Sequence, residues 1–274
     1  MMRALWTGAS GMRAQQTSVD TISNNLANVN TVGYKAKSTE FKSLLYQDLQ
    51  SPTTSANGDP KPTQAQVGLG TRVAATKSSF ATGIQQASDN PAACFIDGTG
   101  FFGVQGSNGQ TYYTRDGDFN WTIDNDGARV LTNNNGLRIL DTNGRRITVP
   151  NNASTEHIVV DPDSGAISYK QADGTYRATG QSIGIWQFSN PNGLSEEGGN
   201  LWGATAASGN AINERTTNLN IIRSSIKQGY IEGSNVQLAD EMVNLIIAQR
   251  AYEMNSKAIT TSDSMLETAN NLRR

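Results

Sequence analysis

The sequence predicts an α+β chain in which discontinuous N- and C-terminal helices form a coiled coil, with antiparallel β domains inserted between them. Three observations carry that prediction. Leu238, Leu245, Tyr252, Ile259 and Leu266 recur seven residues apart near the C-terminal end. Leu5, Met12, Val19 and Leu26 repeat at the same interval near the N-terminal end. Between them, Asn-Gly and Asp-Gly dipeptides punctuate the middle at intervals suited to short strands. A seven-residue period keeps one seam of a helix facing a partner helix. The dipeptides accept the positive φ that two-residue hairpin turns demand.

The N-terminal helix carries Ile22 and Val29 at its interleaved seam positions, with Gly8 and Gln15 in the corresponding earlier places. Gly8 and Gly11 each cost roughly 1 kcal/mol of helix propensity relative to Ala. A helix that does not persist alone is the expectation. Asn24, Asn25, Asn28 and Asn30, followed by Gly33, mark its end. Their amides either hydrogen-bond where helices cross or simply end the helix. Residues 36–49 predict a further short helix through Phe41, Leu44, Leu45 and Leu49. From 50 to 66 the chain is rich in Pro, Ser, Thr and Asn, the composition of an extended arm. The segment GLGTRVAATKSSF then resumes β character.

From 92 to 189, turns at Asn108-Gly109, Asp116-Gly117, Asp126-Gly127, Asn135-Gly136, Asn143-Gly144 and Asp173-Gly174 separate runs rich in β-branched and aromatic residues. No helical pattern alternates with these runs, which argues against a parallel α/β sheet. Residues 190–232 add Gly-rich loops and a last β segment near Lys227–Ile231. The C-terminal helix is expected from Ser234 to Leu272, with Ser234 and Gln237 spaced as a capping box. Arg273 and Arg274 follow, where the helix dipole favours cations. A second seam position carries Met242, Gln249, Ser256 and Asp263, and grows wetter toward the end. A dry two-helix core would not want that, so this helix needs partners beyond its own chain. The resulting division is a terminal helical domain (1–35 and 233–274), a linking domain (36–91 and 190–232, with the arm 50–66) and a β domain (92–189).

With 274 residues and a net charge of −2, the chain offers no electrostatic case for nucleic acid or an anionic membrane. Hydrophobic content of 36% and 27 glycines suit turn-rich β structure and exposed helices better than a compact enzyme core. No apolar run approaches the roughly 18 residues of a membrane span, and the first residues have no signal-peptide h-region.

The motifs that could carry chemistry are weak. Gly98-Thr99-Gly100-Phe101-Phe102-Gly103 matches a dinucleotide fingerprint by letter but runs on as strand, so hairpin glycines are expected. Asp116, Asp118 and Asn120 have calcium-loop spacing, but Trp121 stands where Gly is required. His157 is the one histidine and Cys94 the one cysteine, the latter in an apolar run that reads as buried. Glu196 and Glu197 fall in a Gly-rich loop with nothing nearby to tune them. No catalytic, cofactor-binding or metal-binding constellation is expected.

Two terminal motifs and three central ones resemble a known family. Ser23-Asn24-Asn25-Leu26-Ala27-Asn28-Val29-Asn30-Thr31 with Gly33-Tyr34-Lys35 is similar to the N-terminal signature of bacterial flagellar rod and hook proteins. Ser234-Asn235-Val236, Glu241-Met242-Val243 and Gln249-Arg250-Ala251-Tyr252-Glu253 resemble its C-terminal counterpart. Gly100-Phe101-Phe102, Tyr113-Thr114-Arg115-Asp116-Gly117 and Gly199-Asn200-Leu201-Trp202 also fit. The length and the segments Leu44–Gln47 and Gly68–Val73 look most like the distal-rod branch, with a proximal-rod member the nearest alternative. The resemblance implies a helical homopolymer with the terminal helices as an inner layer and β domains outside. It implies a rigid drive shaft in the periplasm-spanning rod, exported by the flagellar type III apparatus without cleavage. Implied neighbours are proximal-rod and hook-side axial proteins and the surrounding P- and L-ring proteins. The expected assembly interface is Leu5, Met12, Val19, Ile22, Leu26, Asn24, Asn25 and Asn28 with Leu238, Met242, Leu245, Tyr252, Ile259 and Leu266. A rival class is a glycan-binding or peptidoglycan-acting β module with helical dimerisation arms, using Trp121, Trp186 and Trp202 to stack on sugars.

Overall fold

A computed structural model describes residues 2–50, 65–124, 126–150, 157–171, 174–215 and 221–272. The predicted arm 50–66 falls almost wholly outside them. Where the sequence suggested three domains, the contacts cluster into two compact units. One holds residues 1–27, 37–78 and 237–274; the other holds 28–36 and 79–236.

The first unit contains helix α1 (Met2–Ala27), strands β1 (Lys37–Ser43), β2 (Tyr46–Gln50), β3 (Ala65–Gly68) and β4 (Thr71–Ser78), and helix α2 (Leu238–Asn271). The helices run antiparallel, since Gly8 faces Ile259 and Asn25 reaches Glu241. At 1.5 Å per residue, the 34 residues of α2 extend about 50 Å. β1 pairs with β4 from Lys37↔Ser78 to Ser43↔Thr71, and β2 pairs with β3 from Tyr46↔Gly68 to Gln50↔Ala65. These two ribbons replace the helix expected over 36–49. The backbone of 37–43 is satisfied by a partner some thirty residues away, which local helical spacing does not report. α1 also packs against β1 and β4.

A second correction concerns the start of α2. The helix begins at Leu238, and Gln237 makes no side-chain cap. The expected capping serine, Ser234, is buried in the preceding segment and accepts the Val236 N–H at 3.3 Å. Asn235 and Val236 are held in place there by tertiary contacts, so the helix starts only after them.

The second unit is antiparallel β throughout, as its described pairings show. In chain order its strands open with β5 (Gln85–Ala87), β6 (Cys94–Asp97), β7 (Phe101–Gln105), β8 (Thr111–Thr114), β9 (Phe119–Ile123) and β10 (Arg129–Asn133). β11 (Arg138–Ile139), β12 (Thr148–Val149), β13 (Ile158–Val160), β14 (Ala166–Lys170) and β15 (Tyr176–Ser182) follow. The remainder are β16 (Ile185–Gln187), β17 (Ser195–Gly198), β18 (Leu201–Gly203), β19 (Ile212–Asn213), β20 (Ser225–Gln228) and β21 (Tyr230–Glu232). The largest sheet has the order β12-β10-β11-β7-β8-β18-β17, with β9, β16 and β19 attached beside this path. A second sheet is β13-β14-β15, while β20 pairs β6 and β21 pairs β5.

The turn dipeptides act as expected at Asn108-Gly109, Asp126-Gly127 and Asn135-Gly136, where the glycines have φ of 78°, 73° and 75°. Asp116-Gly117 is different. Gly117 sits against the Cys94 carbonyl, which its missing side chain permits, and it makes no hairpin. Alternation along β7 divides the core in two, because successive strand residues face opposite ways. Phe102 and Val104 join Phe119, Leu131, Ile139, Ile167, Ile183 and Ile185. Phe101 joins Tyr113, Leu140, Trp186, Phe188 and Trp202. Burial pushes the Cys94 thiol up to about 12.

Candidate assembly surface

In an antiparallel helix pair, the residues that face the partner must be small if the axes are to approach closely. On α1 a Cβ at Gly8 would lie 2.9 Å from Ile259 Cγ1, and one at Gly11 would lie 2.8 Å from the Asn255 side-chain nitrogen. The glycines that weaken α1 as an isolated helix are therefore the ones that let α2 approach. On α2 the row facing inward includes Glu241, Ala248, Asn255 and Ser262, of which Ala248 and Ser262 are buried. This row lies three residues after the leucine row, whereas Met242, Gln249, Ser256 and Asp263, the seam expected to need partners beyond the chain, lie four residues after it.

Of the expected interface residues, Ile22 and Asn25 are buried within the unit. Leu5, Met12, Val19, Leu26, Asn28, Leu245, Ile259 and Leu266 are half-buried, and Asn24, Leu238, Met242 and Tyr252 are exposed. Val19 and Tyr252 line a groove of about 430 Å³ with Gln16, Asp20, Gln249 and Glu253. Further out, α2 exposes Val243, Ile246, Ile247, Met254 and Met265, with Ile247 60% and Met254 66% accessible. α1 exposes Met2 and Trp6. Periodicity alone pointed to the leucine row and missed these flanking residues, which a two-sided apolar pattern would have revealed.

Asn25 shows what the Asn-rich run does. Its amide nitrogen donates to the Lys37 carbonyl at 2.8 Å and to Glu241 Oε1 at 3.0 Å, while its oxygen accepts the Lys37 N–H at 2.9 Å. Asn28 instead accepts from the Thr31 hydroxyl at 3.1 Å and backbone N–H at 3.1 Å, just past the end of α1. Amide bonding across helices and helix termination are thus divided between neighbouring asparagines.

The second unit holds a polar junction that no local pattern announced. Glu232 is buried and accepts Lys35 Nζ at 2.7 Å and the Gly83 N–H at 2.7 Å on one oxygen. Its other oxygen meets Arg115 Nη1 at 3.3 Å. Lys35 Nζ donates also to the Ala81 carbonyl at 2.9 Å, and Arg115 Nη2 to the Gly98 carbonyl at 2.6 Å. Burial pulls the Lys35 ammonium below its ordinary range, against the attraction of Glu232. Three residues on, Asn235 accepts the Ala36 N–H at 2.7 Å and donates to the Ser79 and Ala81 carbonyls at 2.8 and 3.1 Å. Gly33, at φ 69°, lies so close to the Asp116 backbone that a Cβ would come within 2.7 Å of its nitrogen. Asn200, at φ 59°, donates to the Val32 carbonyl at 2.8 Å. Lys35, Arg115, Asn200 and Asn235 are all residues of the motifs quoted above.

The tryptophans offered as sugar platforms are occupied by packing. Trp186 and Trp202 are buried in the Phe101 cluster, and Trp121 packs against the larger core. Among the described residues, no helix is long and apolar enough to cross a membrane.

Three family patterns match the chain. Residues 5–35 match the flagella basal body rod protein family, and 227–272 match the flagellar basal body rod FlgEFG protein C-terminal family. Residues 95–169 match the flagellar hook protein FlgE/F/G D1 domain. Among curated relatives, the flagellar basal-body rod protein FlgG of Borreliella burgdorferi is 43% identical over 275 residues, covering 100% of both chains. FlgG of Bacillus subtilis is 36% identical over 100% of both, and that of Caulobacter vibrioides 38% identical over 99% of this chain and 100% of its own. Full-length similarity at this level, with matching patterns at both ends and in the middle, shows that the chain belongs to the bacterial flagellar basal-body rod protein family.

Proposed function

We propose that this chain is a structural axial subunit that polymerises into the distal rod and carries motor torque to the hook as a rigid shaft. The observation that carries this reading is the apolar flank of α2. Leu238, Met242, Val243, Ile246, Ile247 and Met254 are exposed on a helix whose inward row is satisfied by α1. Solvating so many large apolar groups is costly, at roughly 1.5–3 kcal/mol for each side chain left unburied, and further copies of the chain would cover them. Of the expected interface residues, Leu238 and Met242 belong to this flank, and Val19 and Tyr252 line a groove between the helices. Full-length similarity to proteins named as basal-body rod subunits supports the same reading. In it, proximal-rod and hook-side axial proteins meet the ends of the polymer. P- and L-ring proteins surround it in the periplasm, and the type III apparatus exports the chain.

The test is Ile246→Asp. This side chain is 58% accessible, so the subunit should fold with unchanged helicity while polymerisation and motility are lost. Normal filaments and swimming from that variant would refute the proposal.

A further inference from the structure

The chain crosses between its two units four times, at 27/28, 36/37, 78/79 and 236/237. Three of those crossings are flanked, within the β-rich unit, by residues bound to Glu232 or Asn235. Ala36, at the second crossing, donates its N–H to Asn235, and its neighbour Lys35 pairs with Glu232. Ser79, at the third crossing, gives its carbonyl to Asn235 and its N–H to the Ala36 carbonyl at 2.8 Å, while Gly83 binds Glu232. Glu232 and Asn235 themselves belong to the passage that leads into the fourth crossing. Backbone bonds reinforce the set, from Gly33 N–H to the Glu232 carbonyl at 2.7 Å and from Gly233 N–H to the Ile84 carbonyl at 2.8 Å. Arg115 anchors the whole to β8 and its sheet through Glu232.

We infer that Glu232 and Asn235 are positioning residues that splice three chain passages into one load-sharing joint. No passage can then be drawn out of the β-rich unit without dragging the other two. The load part of this inference rests on the rod reading above; the splice itself does not. Single strands pulled one at a time yield in sequence, whereas strands cross-tied by buried charge and amide bonds share a force. The burial matters, because Glu232, Lys35 and Arg115 are all shielded from water and their pairings are little screened. A solvated surface pair at the same place would contribute little.

Two variants of the full chain test the inference without emptying the core. Asn235→Asp keeps the acceptor for Ala36 but turns the donor toward Ser79 and Ala81 into a repelling carboxylate. Lys35→Met removes the tie to Ala81 and leaves Arg115 and Glu232 paired. In purified protein, hydrogen exchange at the Ala36, Ser79 and Gly83 amides should rise about tenfold or more in the double variant. The Leu131 amide, bonded to the Ile147 carbonyl, should exchange as before. Cells carrying the variant in place of the native chain should swim in dilute medium and stall at a lower viscous load than wild type. Unchanged exchange at the three amides, or faster exchange at Leu131 as well, would overturn the splice. Faster local exchange with a wild-type stall load would overturn its load-bearing role. If the wild-type chain itself fails to restore rotation, the rod reading falls, and the exchange measurements still decide the splice.

Discussion

The side-chain amide of Asn25 hydrogen-bonds Glu241 across the helical pair at 3.0 Å while clasping the backbone of Lys37 on β1. One fully buried amide thus joins both helices and the ribbon. Asn25→Ala would leave the Lys37 N–H and carbonyl without these partners. Each hydrogen bond lost is worth about 0.5–1.5 kcal/mol, so a loss of about 1–3 kcal/mol is expected. Chemical denaturation followed by helical circular dichroism measures it. An Asn25→Ala protein as stable as wild type would show that this clasp is dispensable.

The two close-approach glycines should respond differently to alanine. At Gly8 the new methyl meets the branched stem of Ile259, which cannot swing away without moving α2. At Gly11 it meets the end of the Asn255 side chain, which can. Gly11→Ala should therefore be neutral or gain up to about 1 kcal/mol of helix propensity. Gly8→Ala should lower the thermal midpoint despite the same propensity gain. Equal shifts for both would contradict the packing described for α1 and α2.

Asp116 is a pH-sensitive element. Burial, with a smaller push from Asp118, raises its carboxyl to about 6 from 3.8, against a hydrogen bond from the Asp118 N–H that opposes the shift. Folding therefore favours the protonated acid. Its contribution is fully present below about pH 4, declines as pH rises to 6, and above that the charged form costs about 3 kcal/mol. Asp116→Asn keeps an oxygen for the Asp118 N–H and removes the charge. The variant should be more stable than wild type at pH 7.5 by about 1–3 kcal/mol and equal to it near pH 4. Parallel denaturation curves at both pH values settle the sign.

The segment expected as an arm, 50–66, is entered from β2 and left through β3, whose register brings Asp48 opposite Gln66. Replacing the arm with an Asn-Gly turn should leave that ribbon paired and polymerisation intact. If the arm braces neighbouring subunits, the resulting tubes will be more curved or more flexible in electron micrographs. Tubes as straight as wild type would reduce the arm to a linker.

What was legible in the sequence was whatever obeys a short period. Both helices and the turn-punctuated β middle follow from spacings of seven residues and from Asn-Gly and Asp-Gly pairs. The β1–β4 ribbon was not legible, because Phe41, Leu45 and Leu49 are spaced like a helix face and yet remain exposed in this chain. The half-buried positions of β1 are Lys37 and Thr39, polar residues that do not announce a strand by apolar alternation. The row of α2 that faces α1 within the chain was not legible either. Ala248, Asn255 and Ser262 face α1 beside Glu241, a row without large apolar residues, whereas an apolar search looks for Met242. The junction at Glu232 was invisible because a buried charge is recognised only with its partners, and those stand far off in the chain.

Lys35 and Glu232 are separated by 197 residues and bury each other's charge. The passage that carries Lys35 and the passage that carries Glu232 are therefore each most stable with the other in place. The Lys35 ammonium, buried with Glu232 as the carboxylate it pairs with, is the costlier group to seal in alone, since Glu232 keeps Arg115. Closure of the β-rich unit is thereby tied to a pairing across 197 residues of chain. A chain without Glu232 and Asn235 lacks the groups that bind Lys35, Ala36, Ser79 and Gly83.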